Sequence, residues 1–316
     1  MSQRFVTCFC LIVFIFPLAT GCDNLAILSP KERTRAFYLN INLSNQGNEK
    51  SFYTFLTYNI HMGFNAGQDF QDPDVIGATQ KHLLRLVESI QSVDADFVAL
   101  QEVADDRSNT EIKNQLEFLA KKLNMNYAYG VDGAGKPTKN RIRNLFATGR
   151  EGNAILSKYE ITDVENAILI HRMGKLQAGS IKVDIKISDS TSITIVNAHL
   201  TPSLDSLEVN LQIENVLEFA NNQELPTVIM GDFNKFPESV YIKEITERFP
   251  DTCDQVQNEN SDLVKSYGTF LGCFFACRID YVFTQPDIFH VIDVGLLAQE
   301  YWGLSDHVGY YAKVKF

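Results

Sequence analysis

Positive charge is in short supply. Against 39 acidic residues the 316-residue chain sets 28 lysines and arginines, a formal net charge of -11 at pH 7. A surface of that sign argues against indiscriminate binding to nucleic acid, so any hold on a polyanion has to be local. Cysteine is scarce too, six in all. Cys273 and Cys277 have no second ligand pair near them, and a structural zinc needs four donors. No G-x-S-x-G elbow and no P-loop signature occurs, which disfavours acyl-enzyme chemistry and nucleoside-triphosphate binding. No apolar run reaches the ~20 residues of a bilayer span. Neither a repeat nor an internal linker interrupts 51–316, which reads as one domain.

The N-terminus does hold an export signal. Arg4 precedes an uncharged segment from Phe5 to Gly21 whose apolar part ends near Leu18, the length of a secretory h-region. Leu18-Ala19-Thr20-Gly21-Cys22 follows and resembles the lipobox of bacterial lipoproteins, which implies cleavage before Cys22 and a lipid on that cysteine. The expected organisation is a signal peptide over 1–21, a tether over 22–50 with a short helix from Lys31 to Leu39, and a domain over 51–316. The mature protein is then exported and membrane-anchored, facing the periplasm or the cell exterior. Cys253, Cys273 and Cys277 remain, and an oxidising compartment predicts one disulfide among them with one thiol left over.

What fills the domain is one design used repeatedly, an apolar strand that ends in a carboxylate, amide or imidazole. Val228 to Met230, between Pro226 and Gly231, reads as a buried strand with Asp232 and Asn234 at its end, on one side of an extended backbone. Phe52 to Ile60 runs into Asn59-Ile60-His61, and Phe97 to Leu100 ends in Gln101-Glu102. Ile193 to Val196 leads to Asn197-Ala198-His199, Arg278 to Phe283 carries Asp280, and Ser305-Asp306-His307 precedes a last strand. Helical stripes lie between: Ile76, Leu83, Leu84, Val87 and Ile90 after Asp72-Pro73; Ile112, Leu116, Leu119 and Leu123; Val209, Ile213, Val216, Leu217 and Ala220. A layered sheet fold gathers strand ends at one edge, where sites are commonly built.

The inventory points to a reaction. Glu102 and Asp306, with Asn59 near by, are oxygen ligands that suit magnesium, with manganese as its substitute. His199, His307 and the remaining carboxylates suit deprotonation of water and stabilisation of a leaving group. Lys136, Lys139, Arg141, Arg143 and Arg150 stand together without an acidic residue, as a substrate-phosphate rim or as a solvated basic loop.

Y-N-I-H-M-G at Tyr58 to Gly63, A-L-Q-E-V at Ala99 to Val103, G-N-A-I-L-S-K at Gly152 to Lys158, N-A-H-L at Asn197 to Leu200, G-D-F-N at Gly231 to Asn234, R-I-D-Y-V-F at Arg278 to Phe283 and S-D-H at Ser305 to His307 stand in this order. The series resembles that of the endonuclease/exonuclease/phosphatase superfamily, the deoxyribonuclease-I-like fold. The resemblance implies an α+β, four-layer α/β/β/α sandwich of two mixed β-sheets and metal-dependent hydrolysis of phosphoester bonds. It implies Glu102 as the principal magnesium ligand, with Asn59 and Asp306 completing or supporting the site. Asp232 would orient or activate water, and Asn234 would bind phosphate. His307, held by Asp280, would be the acid/base imidazole, with His199 as a second phosphate-side histidine. Asn197, Arg141 and Arg143 would contact substrate. Family members act on DNA, RNA, sphingomyelin or phosphoinositides; the expectation here is a nuclease, with phospholipid headgroups as the alternative substrate and a catalytically dead binding module as a third reading. The lipid anchor makes the membrane a partner, and nothing points to a protein partner.

Overall fold

Strands covered on both faces need apolar side chains at nearly every position. In β2 (Tyr53–Asn59), Phe55 faces a core shared by two sheets while Leu56 and Tyr58 face helices, and all three are buried. The computed structural model describes residues 36–41, 49–131 apart from 71, 73, 106 and 108, then 150–168, 178–221, and 224–316 apart from 274 and 275. The signal, Cys22, Arg141 and Arg143 lie outside the described residues.

One sheet orders seven strands as β1 (Ala36–Leu39), β4 (Asn126–Val131), β5 (Arg150–Ser157), β3 (Phe97–Asp105), β2, β12 (Tyr310–Lys315) and β11 (His290–Leu296). The other orders five as β10 (Asp280–Thr284), β9 (Thr227–Asp232), β8 (Ser192–His199), β7 (Gly179–Lys186) and β6 (Glu160–Ile168). Each contains one parallel pair, β2 with β3 and β8 with β9, so both are mixed. Parallel neighbours need a crossover, and α1 (Gln80–Ser92) and α3 (Ser206–Asn221) supply it.

Three cores define four layers. Phe97, Ile181, Ile195, Met230 and Val282 fill the space between the sheets. Leu83, Leu86 and Ile90 of α1, with Leu116 and Leu119 of α2 (Gln115–Leu123), cover the seven-stranded sheet. Val209, Ile213 and Val216 of α3, with Ile242 and Ile245 of α4 (Val240–Thr246), cover the other. The α/β/β/α sandwich implied by the motifs is the fold observed.

Local expectations needed correction in two places. Ala36–Leu39 is a strand rather than part of a helix, pairing with β4 from Ala36 opposite Gly130 to Leu39 opposite Tyr127. The sheet thus takes in residues expected in the tether. Asn40 fixes them: its amide donates to Ile161 O at 2.8 Å and accepts from Ile161 N at 2.9 Å, and an edge strand supplies β4 with ladder partners that a helix cannot. Helix α1 starts not at Asp72-Pro73 but at Thr79, whose side chain accepts from His82 N at 3.2 Å; Ile76 is outside it and about half exposed. The disulfide joins Cys273 to Cys277, leaving Cys253 as a buried thiol.

Gly231 is required by a close approach. Its φ is +143°, and a Cβ there would stand 1.9 Å from the carbonyl oxygen of Ala198, its partner across β8 and β9. Gly231→Ala is therefore expected to destabilise the protein by about 2–4 kcal/mol, read as a lower urea midpoint. Activity should fall with it, since Asp232 is the next residue.

Candidate active site

Alternation carries one face of each central strand to the same rim. Asn59 follows Phe55 and Thr57 on β2, His199 follows Ile195 and Asn197 on β8, Asp232 follows Val228 and Met230 on β9, and Asp280 shares a face with Val282 on β10. Glu102 joins them by breaking the alternation. Leu100 and Val103 both face the helices, so the two residues between them turn toward the other sheet. The pairing of β3 with β5 shifts register there, and Glu102 has φ +53°. This is a β-bulge that re-aims a side chain, so Glu102 lies inside strand β3 rather than at its end.

The groups meet around Asp232. Asn59 Nδ2 donates to Glu102 Oε1 at 3.0 Å and to Asp232 Oδ2 at 3.1 Å. Nε2 of His307 and of His199 stand 3.6 and 3.7 Å from that same Asp232 oxygen, and His199 Nε2 is 4.0 Å from Glu102 Oε1. His307 Nδ1 is 2.9 Å from Asp280 Oδ2. Ser305 Oγ lies 2.8 Å from Asn59 O and 3.2 Å from Asp306 Oδ1, and it accepts from His307 N at 3.1 Å. The disulfide-bearing turn closes the far side: Leu271 N donates to Asp306 O, Val308 N to Thr269 O, and the Phe270 ring lies 5.0 Å from that of His307.

The endonuclease/exonuclease/phosphatase family model matches residues 56–307, which include every one of these groups. The chain belongs to that family. Hydrolases of the family act on phosphoester bonds. A 122-residue stretch is 32% identical to the uncharacterized protein YbhP of Escherichia coli K12, covering 36% of this chain and 40% of that relative, less than half its length. Among solved structures, the endonuclease/exonuclease/phosphatase from Beutenbergia cavernae is similar with TM-score 0.65 and 20% identity, over 84% of this chain and 72% of the other. The human Nocturnin catalytic domain with bound sulfate gives 0.60 and 15%, over 91% and 98%. The mannosyl-6-phosphatase of Bacteroides thetaiotaomicron gives 0.58 and 18%, over 84% and 100%. At these identities the structural neighbours support the fold alone.

Acidic charge is concentrated in this site. Among the described residues, Glu102, Asp232, Asp280 and Asp306 form their ion pairs with histidines, never with Lys or Arg. Carboxylates gathered without a Lys or Arg partner fit a divalent cation. Among the described residues one group of three donors stands together. Asp232, Asp280 and His307 have ligand atoms within 4.8 Å of one another, but the Nδ1 of His307 is engaged by Asp280. Glu102 and Asp306, tied together through Asn59 and Ser305, leave more oxygen free.

Burial pushes the Asp280 carboxyl up to about 6, a rise that the neighbouring Asp232 reinforces and His307 opposes. Burial works against a charged His307, yet Asp280 and Asp232 outweigh it and raise the imidazole to about 10. Near neutral pH the pair is thus an imidazolium on an aspartate, with Nε2–H facing the site.

The three asparagines expected at the site are each tied into the scaffold. Asn197 is fully buried: Nδ2 donates to Leu100 O and Ala154 O, and Oδ1 accepts from Gln101 Nε2 at 2.7 Å. It ties the two sheets together from below the rim. Asn59 turns its nitrogen to the carboxylates and its Oδ1 to His61 N, so it bridges Glu102 and Asp232 instead of offering the cation an oxygen. Asn234, at φ +51°, gives its backbone N–H to Asp232 Oδ1 and its amide to Leu200 O.

Two further contributors, Lys235 beside a motif and His61 within one, were given no role by the sequence. Lys235, whose pKa burial lowers, donates to Thr201 O and Asn234 O, joining the loops after β8 and β9. His61 lies beside Asp306.

Behind His61, burial and the neighbouring His61 lower His82 to about 4. A histidine lowered in the folded state contributes stability above its ordinary 6.5, lost as pH falls from there toward 4. His82→Gln is expected to remove on the order of 3 kcal/mol of that pH dependence, seen as a flatter plot of unfolding free energy against pH.

Proposed function

We propose that this chain is an exported, lipid-anchored, magnesium-dependent phosphodiesterase that cleaves nucleic acid by attack of an activated water. The observation that carries the reading is the gathering of Asn59, His199 and His307 within 3.1 to 3.7 Å of one Asp232 oxygen, from segments far apart in the sequence. The two imidazole distances exceed a hydrogen bond, a spacing that the oxygen of a water or a phosphate fills.

Glu102 and Asp306 would hold the cation, with Asn59 fixing Glu102. Bound there, the ion supplies positive charge to a phosphoryl oxygen. Asp232, oriented by Asn59 and the Asn234 N–H, takes the proton of the attacking water. His307, charged and held by Asp280, and His199 face the developing negative charge on phosphate. Asn234 holds the phosphate with its remaining amide capacity. Export and anchoring rest on the h-region and the lipobox-like Leu18 to Cys22.

The test is the purified protein with Mg²⁺ or with EDTA, against plasmid, single-stranded DNA, RNA, sphingomyelin and a phosphoinositide. Cleaved nucleic acid with Mg²⁺ alone is the expected result; inertness toward every phosphodiester overturns the proposal. Replacing Lys139, Arg141 and Arg143 by Ser is expected to weaken nucleic-acid binding and flatten its salt dependence by about one unit of slope for each phosphate that is no longer neutralised. An unchanged slope makes the stripe an ordinary loop.

A phospholipid headgroup is the second reading, and one observation favours it. Leu204 is 99% exposed and Phe236 44%, on the two loops that Lys235 joins beside the site, and Val240, which opens α4 after the second of them, is 70% exposed. Hydrolysis in liposomes without DNA nicking selects it.

A further inference from the structure

The stretch that would carry the lipid anchor enters the domain at the rim of the site. Ala36, the first described residue, pairs with Gly130, and Gly130 pairs with Asn153. Asn153 stands on β5 between Gly152, opposite Val103, and Ala154, opposite Leu100, so it lies across from the bulge that carries Glu102. One row of the sheet therefore runs from Glu102 across β5 and β4 to Ala36. Three inter-strand steps of about 4.8 Å put the two about 14 Å apart. Since β1 is antiparallel to β4, and β4 and β3 are each antiparallel to β5, the chain comes into β1 from the end of the sheet where the site lies.

From Cys22 to Ala36 the chain advances 14 residues. Such a length spans at most about 50 Å drawn out and about 20 Å as a relaxed coil. With the rim toward a bilayer that is ample. With the rim turned away, the same residues would have to pass the whole length of the strands, about 30 Å for the nine residues of β3, and the loops beyond them.

What the rim exposes suits lipid. The strands that end in His199 and Asp232 lead into loops presenting Leu204 and Phe236; Leu207 follows in the first turn of α3, and Val240 opens α4. All four side chains are exposed. Apolar side chains exposed together at one end of a domain mark a protein or membrane contact, and an anchor on Cys22 keeps a membrane within reach. The opposite end is charged instead: Lys50 and Lys158 pair there with Asp94, and Lys186 with Asp189.

We propose that the anchored domain lies with its site-bearing rim on the bilayer, Leu204, Phe236 and Val240 entering the lipid surface. This orientation rests on the anchor given under the proposed function and adds which face that anchor holds to the membrane. The acidic site offers no attraction to anionic headgroups, so the contact is apolar and zwitterionic lipid suffices. Three side chains hold reversibly: a headgroup phosphate is met directly, and a nucleic-acid strand is met when the rim lifts.

The probe is a phosphatidylcholine vesicle carrying the acylated mature chain, with an environment-sensitive fluorophore on one introduced cysteine. Leu204→Cys and Val240→Cys place it on the rim, Asp189→Cys at the opposite end. Cys253 is buried and Cys273 is bonded to Cys277, so with Cys22 acylated the introduced thiol takes the label. Spin-labelled lipids are expected to quench the fluorophore at 204 and at 240 and to leave the one at 189 unchanged. The two rim positions are independent, so if one labelled variant misfolds the other decides. Adding Leu204→Ser and Phe236→Ser to Val240→Cys is expected to lower the ratio of lipid-facing to water-facing label at least about tenfold, the weight of one large apolar side chain withdrawn from water. Unchanged quenching in that variant overturns the apolar contact. Rim labels that stay in water on an acylated chain, or quenching at 189 instead, overturn the orientation and leave the anchor standing. A mature chain whose mass shows no lipid on Cys22 overturns the anchor of the proposed function and the orientation with it.

Discussion

Replacing Asp232 by Asn is expected to lower phosphodiester hydrolysis by at least about a thousandfold while the protein remains folded. The substitution keeps the shape and the oxygen that receives the Asn234 N–H, gives up the bond from Asn59 Nδ2 to Oδ2, and removes the charge that can take a proton from water. It also changes what His307 feels, because Asp232 is one of the two carboxylates that raise that imidazole. Stability should move the other way. Asp232 is almost fully buried near Asp280, whose own carboxyl it pushes upward, so neutralising it relieves a like-charge conflict in a desolvated place. The expected result is a melting temperature in EDTA equal to or above that of wild type, with activity lost. Full activity in the folded variant removes Asp232 from the chemistry.

Glu102→Gln is expected to reduce divalent-cation affinity at least about tenfold and hydrolysis more steeply, with partial recovery at high metal concentration. The glutamine fits the bulge and still accepts from Asn59 Nδ2. What it lacks is the negative charge that a hard cation requires. The measurement is a calorimetric titration of Mg²⁺ and Mn²⁺ beside a rate assay over a range of metal concentrations. Equal affinity in both forms would move the cation to Asp232, Asp280 and His307, whose donors also lie close together.

The two substitutions separate roles that the sequence presented as equals. In the motif series, Asn59, Glu102, Asn197, Asp232 and Asp280 are each a polar group near the end of an apolar strand. Their strands were legible because burial on both faces demands continuous apolar runs, and the helices because their stripes repeat at helical spacing. Which polar group faces the site was legible only where alternation held. Asn59, His199, Asp232 and Asp280 follow it. Glu102 does not, because a bulge sits between Leu100 and Val103, and a bulge leaves no mark in the hydrophobic pattern. Asn197 follows the alternation and still does not reach the rim, because its depth between the sheets commits its amide to Gln101, Leu100 and Ala154.

The edge strand Ala36–Leu39 and the imidazole of His61 were hidden for a related reason. A short strand of mixed composition is stabilised by the ladder it joins, and a single histidine by what surrounds it; neither quantity is local.

The amino-acid sequence by itself determined the buried strands, the helical stripes between them and the cast of carboxylates and imidazoles, because hydrophobic period and strand-end chemistry are written in consecutive residues, and the motif order implied the layers. Only the tertiary structure decided that Asp232 is the hub, that Asn59 bridges carboxylates, and that His61 points an unpaired nitrogen toward Asp306. Those assignments depend on distances of 3.0 to 3.8 Å between residues 33 to 245 positions apart, and such distances are set by how two sheets pack rather than by either segment alone.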